Sequence, residues 1–430
     1  MSDQITLSRA RSDRPANRFR NTAYVIQETS EHFDQAHQAG VMAVYCRSTQ
    51  LREVALGRGQ MRHRPRVIDF VRCSYLGLDN HPSIVAGAIA AIEAHHSVHW
   101  SCARTRLNFD LMGELEQTLS EMFGAHIIAF STVMLANLGA LPILASGRLT
   151  GGIKPVMVFD RTAHISLAYH KPVIADETRV MTIGHNDIEG LEQICKAEAA
   201  VAYICDGVYS MGGYAPIKEL RRLQEKYGLF LYIDDAHGIS LFGERGEGFA
   251  RSQFPDVLGD RTIIAASLGK GFGASGGLLM LGTEEQDRLF RRYALPHAFS
   301  ASPNLAAIGA ALASAKIHCS PELGQRQRRL AERIRLFDEQ LPTEQKGSAL
   351  PIRMVTIGEE EAAIAAAKTI LDFGFYTSVT FFPTIARGKA GIRVCITADH
   401  DPDDIATVGE LLRDAVRNVE QHECPEIAPV

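Results

Sequence analysis

The stretch SLGKGFGASGG, Ser267–Gly277, admits three readings, and each implies a different enzyme. Gly271, Gly273 and Gly276 have the G-x-G-x-x-G spacing of a dinucleotide-binding turn, Gly269-Lys270 matches the end of a P-loop, and a lysine among glycines also suits a nucleophile. A P-loop needs a glycine five positions before the Gly-Lys pair and Ser or Thr after it, but Ile264 and Gly271 stand there. A dinucleotide turn opens a helix, whereas the residues after Gly276 run into GLLML, which has strand composition. What remains is a reactive lysine, or a plain turn between two strands with Lys270 in solvent.

A second stretch, LYIDDAHG at Leu231–Gly238, weighs on that choice. Its apolar run ends in Asp234, and a carboxylate at the end of a buried strand is costly unless it meets a cation or strong donors. A protonated pyridine ring would be such a cation. Pyridoxal phosphate requires a lysine for a Schiff base, a carboxylate for the ring nitrogen, and donors for its phenolic oxygen and phosphate. Lys270, Asp234, His237 and Ser267 are of those types. The three-residue spacing of Asp234 and His237 equally suits a core histidine, and Asp234-Asp235 invites a metal. Neither His237 nor the HHSVH cluster (His95, His96, His99) completes a ligand framework.

Around these stretches, HIIAF, PVMVFD, VAYICD, LFLYIDD, TIIAAS and GGLLML are short apolar runs separated by helical patterns. They predict a parallel or mixed sheet covered on both faces, hence an α/β fold. Asp160, Asp206, Asp234 and Ser267 end four of the runs, and the carboxyl ends of such a sheet are where ligands bind. Residues 1–65 read as an N-terminal arm, with a polar helix from about Glu28 to Gly40 followed by a strand-like VMAVYCRSTQLREVAL. Residues 66–305 read as a large domain and 306–430 as a smaller α+β C-terminal domain, in which IRMVTIG, FYTSVTFFP and GIRVCIT are strand candidates. A length of 430 residues makes more than one core the expectation.

A net charge of -5 gives no field that would gather nucleic acid, and no apolar run is long enough to span a membrane. The eight cysteines are scattered without metal spacing, which suits a reducing, cytoplasmic location. Acidic residues interrupt the arginines of ARSDRPANRFR, against a transit peptide.

In order along the chain, SYLGLDNHP, FDRTAHISL, GHNDIEGL, CDGVYSMGGYAP, YIDDAHGISLFGERGEG, SLGKGFGASGG, FSASPN and GIRVCITADH span Ser74 to His400. With these motifs in register the sequence resembles the α-oxoamine synthases, pyridoxal phosphate enzymes of fold type I (aspartate aminotransferase-like). The resemblance implies a large, mostly parallel seven-stranded sheet domain and a homodimer with shared active sites. It also implies a decarboxylative Claisen condensation of an amino acid with an acyl thioester, on CoA or an acyl carrier protein, giving an α-aminoketone. Lys270 would carry the cofactor and move the substrate proton, Asp234 would pair with the ring nitrogen, His237 with the phenolic oxygen, and His164 would stack on the ring. Ser210 would lie near the phenolate with Asp206. Ser267 and the amides of Val133 and Met134 would hold the phosphate, joined by Ser300 and Ser302 from the neighbouring subunit. Arg393 would clamp the amino-acid carboxylate, with Arg104 and Tyr75 also facing substrate.

Departures from the family pattern point away from a housekeeping member, toward secondary metabolism or signalling. Cys73-Ser74 replaces Asn-Asp, Thr132-Val133-Met134 replaces Ser-Gly-aromatic, Asp206 replaces glutamate and Met112 a histidine. Leu107, Phe109, Leu111 and the TSVTFFP segment could line an acyl path or simply pack in the core. The rival readings are another fold-type I enzyme, an aminotransferase or β-eliminating lyase, and a silent homologue that only binds ligands.

Overall fold

The computed structural model describes residues 21–57, 67–100, 103–254 and 257–423. The arginines of ARSDRPANRFR, Cys102, Cys424 and the terminal PEIAPV lie outside the described residues. The N-terminal helix, Thr22–Gln38, begins earlier than expected because Asn21 caps it, accepting from the Tyr24 amide at 3.1 Å. After it come strands β1 (Cys46–Gln50), β2 (Glu53–Leu56) and β3 (Val67–Asp69). VMAVYCRSTQLREVAL is thus a hairpin, β1 against β2, rather than one strand.

The central sheet contains β4 (His126–Phe130), β5 (Val156–Asp160), β6 (Val180–Ile183), β7 (Val201–Asp206), β8 (Phe230–Asp234), β9 (Thr262–Ser267) and β10 (Gly277–Leu281), in the order β4-β10-β9-β8-β7-β5-β6. Strands β5 to β9 pair in parallel and β10 runs antiparallel to both β4 and β9. All residues of β5, β7, β8 and β10 are buried, as continuous apolar runs require. Only Val180 of β6 is buried, so that edge strand has no apolar run for the sequence to show.

Side chains alternate between two cores. Leu231 and Ile233 join the cluster under helices Asp110–Phe123, Ile217–Tyr227 and Leu305–His318. Phe230 and Tyr232 join the one under helices Val133–Ala145 and Glu284–Tyr293. By the same period of two, Asp234 faces helix Val133–Ala145.

Beyond the sheet, β11 (Ile352–Gly358), β13 (Ser378–Thr380) and β14 (Ala390–Cys395) form a three-stranded antiparallel sheet, while β12 (Phe375–Tyr376) pairs in parallel with β3. Helices Pro321–Gln340, Glu360–Asp372 and Pro402–Glu423 accompany this sheet. Ala36, Val41, Ile68, Phe70, Tyr75, Leu76 and Leu78 share its apolar core, so the segment after β3 runs between this core and the carboxyl end of the central sheet. No helix among the described residues is long and apolar enough to cross a membrane.

Candidate active site

At the carboxyl ends of β4, β5 and β9 lies a cavity of about 370 Å³, lined by Ser131–Met134, His164, Tyr169, Ser267 and Lys270 among others. Lys270 sits in the turn that returns β9 into β10. The Gly273 amide donates to the Lys270 carbonyl at 3.0 Å, and Gly273 has φ +75° with Leu78 where a Cβ would be. The G-x-G-x-x-G spacing therefore serves a turn packed against the Leu76–Leu78 segment and opens no helix.

Lys270 Nζ lies 2.8 Å from His237 Nε2, and His237 Nδ1 lies 2.7 Å from the hydroxyl of the fully buried Tyr75. Burial pulls the Lys270 amine below its ordinary pKa, although the Asp234 charge works the other way. Burial, with the nearby Lys270 charge, pushes His237 well below the usual histidine range. The ring is therefore neutral and offers one N–H to two partners, which links Tyr75 and Lys270 through a single imidazole.

Asp234 accepts from Asn137 Nδ2 at 3.0 Å and from the Ala236 amide at 3.0 Å. Asn137, wholly buried, also donates to Ser166 Oγ at 3.1 Å and accepts from the Tyr232 hydroxyl at 2.7 Å. Asp206 is the register partner of Asp234 on β7 and accepts from the His164 amide at 3.1 Å. Burial, and then the Asp234 charge, raise the Asp206 carboxyl well above the carboxylate range. Among the described residues no Lys, Arg or His pairs with either carboxylate at ion-pair distance. With the Asp206 carboxyl pushed toward its neutral form, Asp234 is the buried acceptor that suits a cationic ring nitrogen. Asp235 points elsewhere, accepting from the Ala250 amide at 2.9 Å, and burial raises it to about 8.

His164 caps a short helix, and its Nδ1 accepts from the Ser166 amide at 3.2 Å. In the neutral ring the proton then sits on Nε2. Burial lowers the His164 pKa, against the opposing Asp234 charge.

Helix Val133–Ala145 starts at the cavity. Thr132 Oγ1 caps the Leu135 amide at 3.2 Å and the Thr132 carbonyl receives the Ala136 amide, which leaves the amides of Val133 and Met134 directed outward at the helix start. Gly277 lets this helix approach the sheet: a Cβ there would lie 2.3 Å from the Val133 nitrogen. Ser267 Oγ accepts from the Gly269 amide at 3.2 Å and lines the same cavity as Val133 and Met134.

Arg393 projects from β14. Its Nε donates to the Ser210 carbonyl at 2.9 Å, and its two terminal nitrogens reach Cys395 Sγ at 3.1 Å and Cys73 Sγ at 4.0 Å. Lys270, His164, Ser166, Ser267, Val133 and Met134 line the cavity; His237 and Tyr75 connect to Lys270 by hydrogen bonds, Asp234 to Ser166 through Asn137, and Asp206 to the His164 amide, while Arg393 holds the Ser210 carbonyl.

The structure does not bring Arg104 there, which corrects that expectation. Arg104 is buried in a two-pronged pair with Glu116 (2.6 and 3.2 Å), and the Ala129 carbonyl and Asn108 take further donors. The expected role of Ser300 and Ser302 concerns the site of a neighbouring subunit rather than this cavity; within the same chain, Ala301 between them accepts from the Ser131 hydroxyl. Phe109, Val379 and Phe381 are buried core residues and Leu107 is exposed, so none of them lines the cavity. His95, His96 and His99 form a helix end and loop away from it.

Sequence reasoning missed Asn137, Ser166 and Tyr169. Asn137 left a signal, the single amide in the otherwise apolar VMLANLGALPILA, because a buried amide implies a polar partner.

Residues 166–411 match the family described as aminotransferase class I and II. The chain is 31% identical over 340 residues to an 8-amino-7-oxononanoate synthase of Geobacter sulfurreducens, covering 77% of this chain and 84% of that protein. It is 30% identical over 358 residues to a serine palmitoyltransferase of Bacteriovorax stolpii, with 80% of each chain covered. Among solved structures, a serine palmitoyltransferase from S. paucimobilis superimposes with a TM-score of 0.80 at 23% identity, covering 94% of this chain and 100% of that one.

Proposed function

The chain belongs to the class I and II aminotransferase family and, within it, to the pyridoxal phosphate-dependent α-oxoamine synthases, and from that premise we propose that it condenses an α-amino acid with an acyl thioester, releasing CO2 and a free thiol. The observation that carries this reading is the buried Asp234–Asp206 pair without a protein cation, facing a Lys270 amine whose pKa is lowered. Lys270 would hold the cofactor through Nζ, Asp234 its ring nitrogen, and His237 with Ser210 its phenolic side. Ser267 and the amides of Val133 and Met134 would hold its phosphate. When bound, the cofactor supplies a protonated ring that delocalises negative charge developing at the amino-acid Cα.

The rest of the chemistry falls to the chain. Lys270, with a depressed pKa and a hydrogen bond to the neutral His237, is suited to take the Cα proton and to return it to the product. Arg393 would hold the amino-acid carboxylate by its guanidinium fork until that group leaves as CO2. His164, with its ring proton on Nε2, would cover the ring face and present a donor at the cavity. The buried Tyr75 would fix the orientation of His237 through the hydrogen bond at Nδ1.

The acyl group would arrive on CoA or an acyl carrier protein. Cys73, Thr132 and Asp206, which depart from the common pattern, support a specialised substrate pair in secondary metabolism or signalling. Tyr293, Leu295 and Phe299 are exposed beside Ser300 and Ser302, which supports a homodimer in which that segment contributes to a shared site.

The test incubates the holoenzyme with a panel of amino acids and acyl-CoAs, following thiol release and product mass. A product heavier than the amino acid by the acyl group and lighter by CO2 is expected. Thiol release without such a product would overturn the proposal. Lys270→Ala should lose the reducible Schiff base.

A further inference from the structure

Cys73 and Cys395 are brought together by segments far apart in sequence. The Cys395 amide donates to the Phe70 carbonyl and the Ala398 amide to the Tyr75 carbonyl, both at 2.8 Å, which stitches residues 70–75 to the end of β14 on either side of Cys73. Both sulfurs contact the same Arg393 guanidinium, at 3.1 Å for Cys395 and 4.0 Å for Cys73. The pair is asymmetric: Cys73 is partly exposed and Cys395 wholly buried.

We propose that Cys73 and Cys395 are an oxidant-sensitive dithiol, a modification site for hydroperoxides, and that its closure to a disulfide disables the Arg393 corner of the active site. Chemistry separates the two sulfurs as well. The hydrogen bond from Cys395 and the Arg393 charge bring the Cys73 thiol down to about 5, against the pull of burial. The Cys73 hydrogen bond and burial hold the Cys395 thiol well above its ordinary value. Burial likewise pushes up Cys195 and Cys205.

Cys73 is therefore the attacking sulfur. Its thiolate takes the terminal oxygen of the hydroperoxide, the O–O bond breaks, and the alkoxide leaves and is protonated to the alcohol, giving a sulfenic acid on Cys73. The Cys395 sulfur then attacks the Cys73 sulfur. The S–S bond forms, the S–O bond breaks, and hydroxide leaves with the Cys395 proton as water. Two thiols are oxidised by two electrons in all, and the peroxide is reduced. In the disulfide neither sulfur remains a partner for the guanidinium, whose present position depends on both. The loss of activity rests on the proposed role of Arg393 as carboxylate clamp; the disulfide itself does not.

The experiment treats the holoenzyme with an equimolar alkyl hydroperoxide and maps its peptides by mass spectrometry without reduction. The expected result is one linked pair of peptides, containing Cys73 and Cys395, lighter than their sum by two hydrogens. Cys395→Ser should instead accumulate a sulfenic acid at Cys73 that dimedone traps, and Cys73→Ser should give no adduct at residue 395. In the wild type, kcat/KM for the amino acid should fall by roughly tenfold or more and return with dithiothreitol. Absence of the linked peptides, or equal peroxide inactivation of Cys73→Ser, would overturn the proposal. Linked peptides with an unchanged KM for the amino acid would leave the dithiol standing and overturn the Arg393 clamp instead.

Discussion

Gly277→Ala tests the phosphate cradle, because the structure leaves no room for one methyl group there. The added Cβ would meet the Val133 nitrogen at 2.3 Å, the Thr132 carbonyl carbon at 2.5 Å and the Val133 Cα at 2.6 Å. All three are backbone atoms at the start of helix Val133–Ala145, so no side chain can swing aside. Strand β10 is paired with β4 and β9 along its whole length and cannot yield easily. The helix start must therefore retreat by roughly 1 Å to recover van der Waals distance. That moves the Val133 and Met134 amides relative to Ser267. Charge-assisted hydrogen bonds contribute about 1.5 to 3 kcal/mol each, so weakening two of them should raise the Kd for pyridoxal phosphate by roughly 100-fold or more. The assay titrates apoenzyme with the cofactor, with circular dichroism to confirm folding. Gly113→Ala serves as control, since nothing lies within 4 Å of a Cβ at that helical position. A folded Gly277→Ala protein that binds the cofactor as tightly as wild type would refute the cradle.

Arg104→Met should destabilise the fold by about 3 kcal/mol or more, since it leaves the buried Glu116 with Arg291 as its remaining cation, yet leave the KM for the amino acid unchanged. Chemical denaturation and steady-state kinetics check both, and a large KM change with intact stability would return Arg104 to the substrate site. Acid should also destabilise the protein through its buried histidines, against the opposite contribution of the Asp206 and Asp235 carboxyls, whose raised values favour the fold at low pH. Burial lowers His318 and His400 from 6.5 to about 4, so between those values the unfolded chain binds more protons and stability falls as pH falls. Each histidine contributes up to about 3 kcal/mol across that window. Thermal melts from pH 7 to 4 should show the loss, and His400→Gln should flatten it; a melting temperature constant to pH 5 would contradict the buried neutral rings.

The class of fold and the polar ends of the central strands are written in local pattern. Apolar runs such as VAYICD and LFLYIDD, short and bounded by turn residues, read as covered strands whose polar ends emerge at one edge, so Asp160, Asp206, Asp234 and Ser267 were legible as a group, although Asp160 is taken up by Thr162, Asn186 and Tyr203 and stays out of the cavity lining. Lys270 and His237 followed because they lie within a few residues of those strand ends, where local chain geometry fixes their direction. Tertiary structure decided what depends on partners distant in sequence. Arg104 and Arg393 are alike as residues, yet one is consumed by Glu116 on a neighbouring helix while the other reaches the site from β14. Asn137 became the support of Asp234 only because the two-residue period of β8 turns that carboxylate toward its helix. Cys73 and Cys395, more than three hundred positions apart, meet only when the segment after β3 packs along β14. Periodicity and motif spacing record what a residue does within its own element, whereas a long side chain's contacts are set by how separate elements pack.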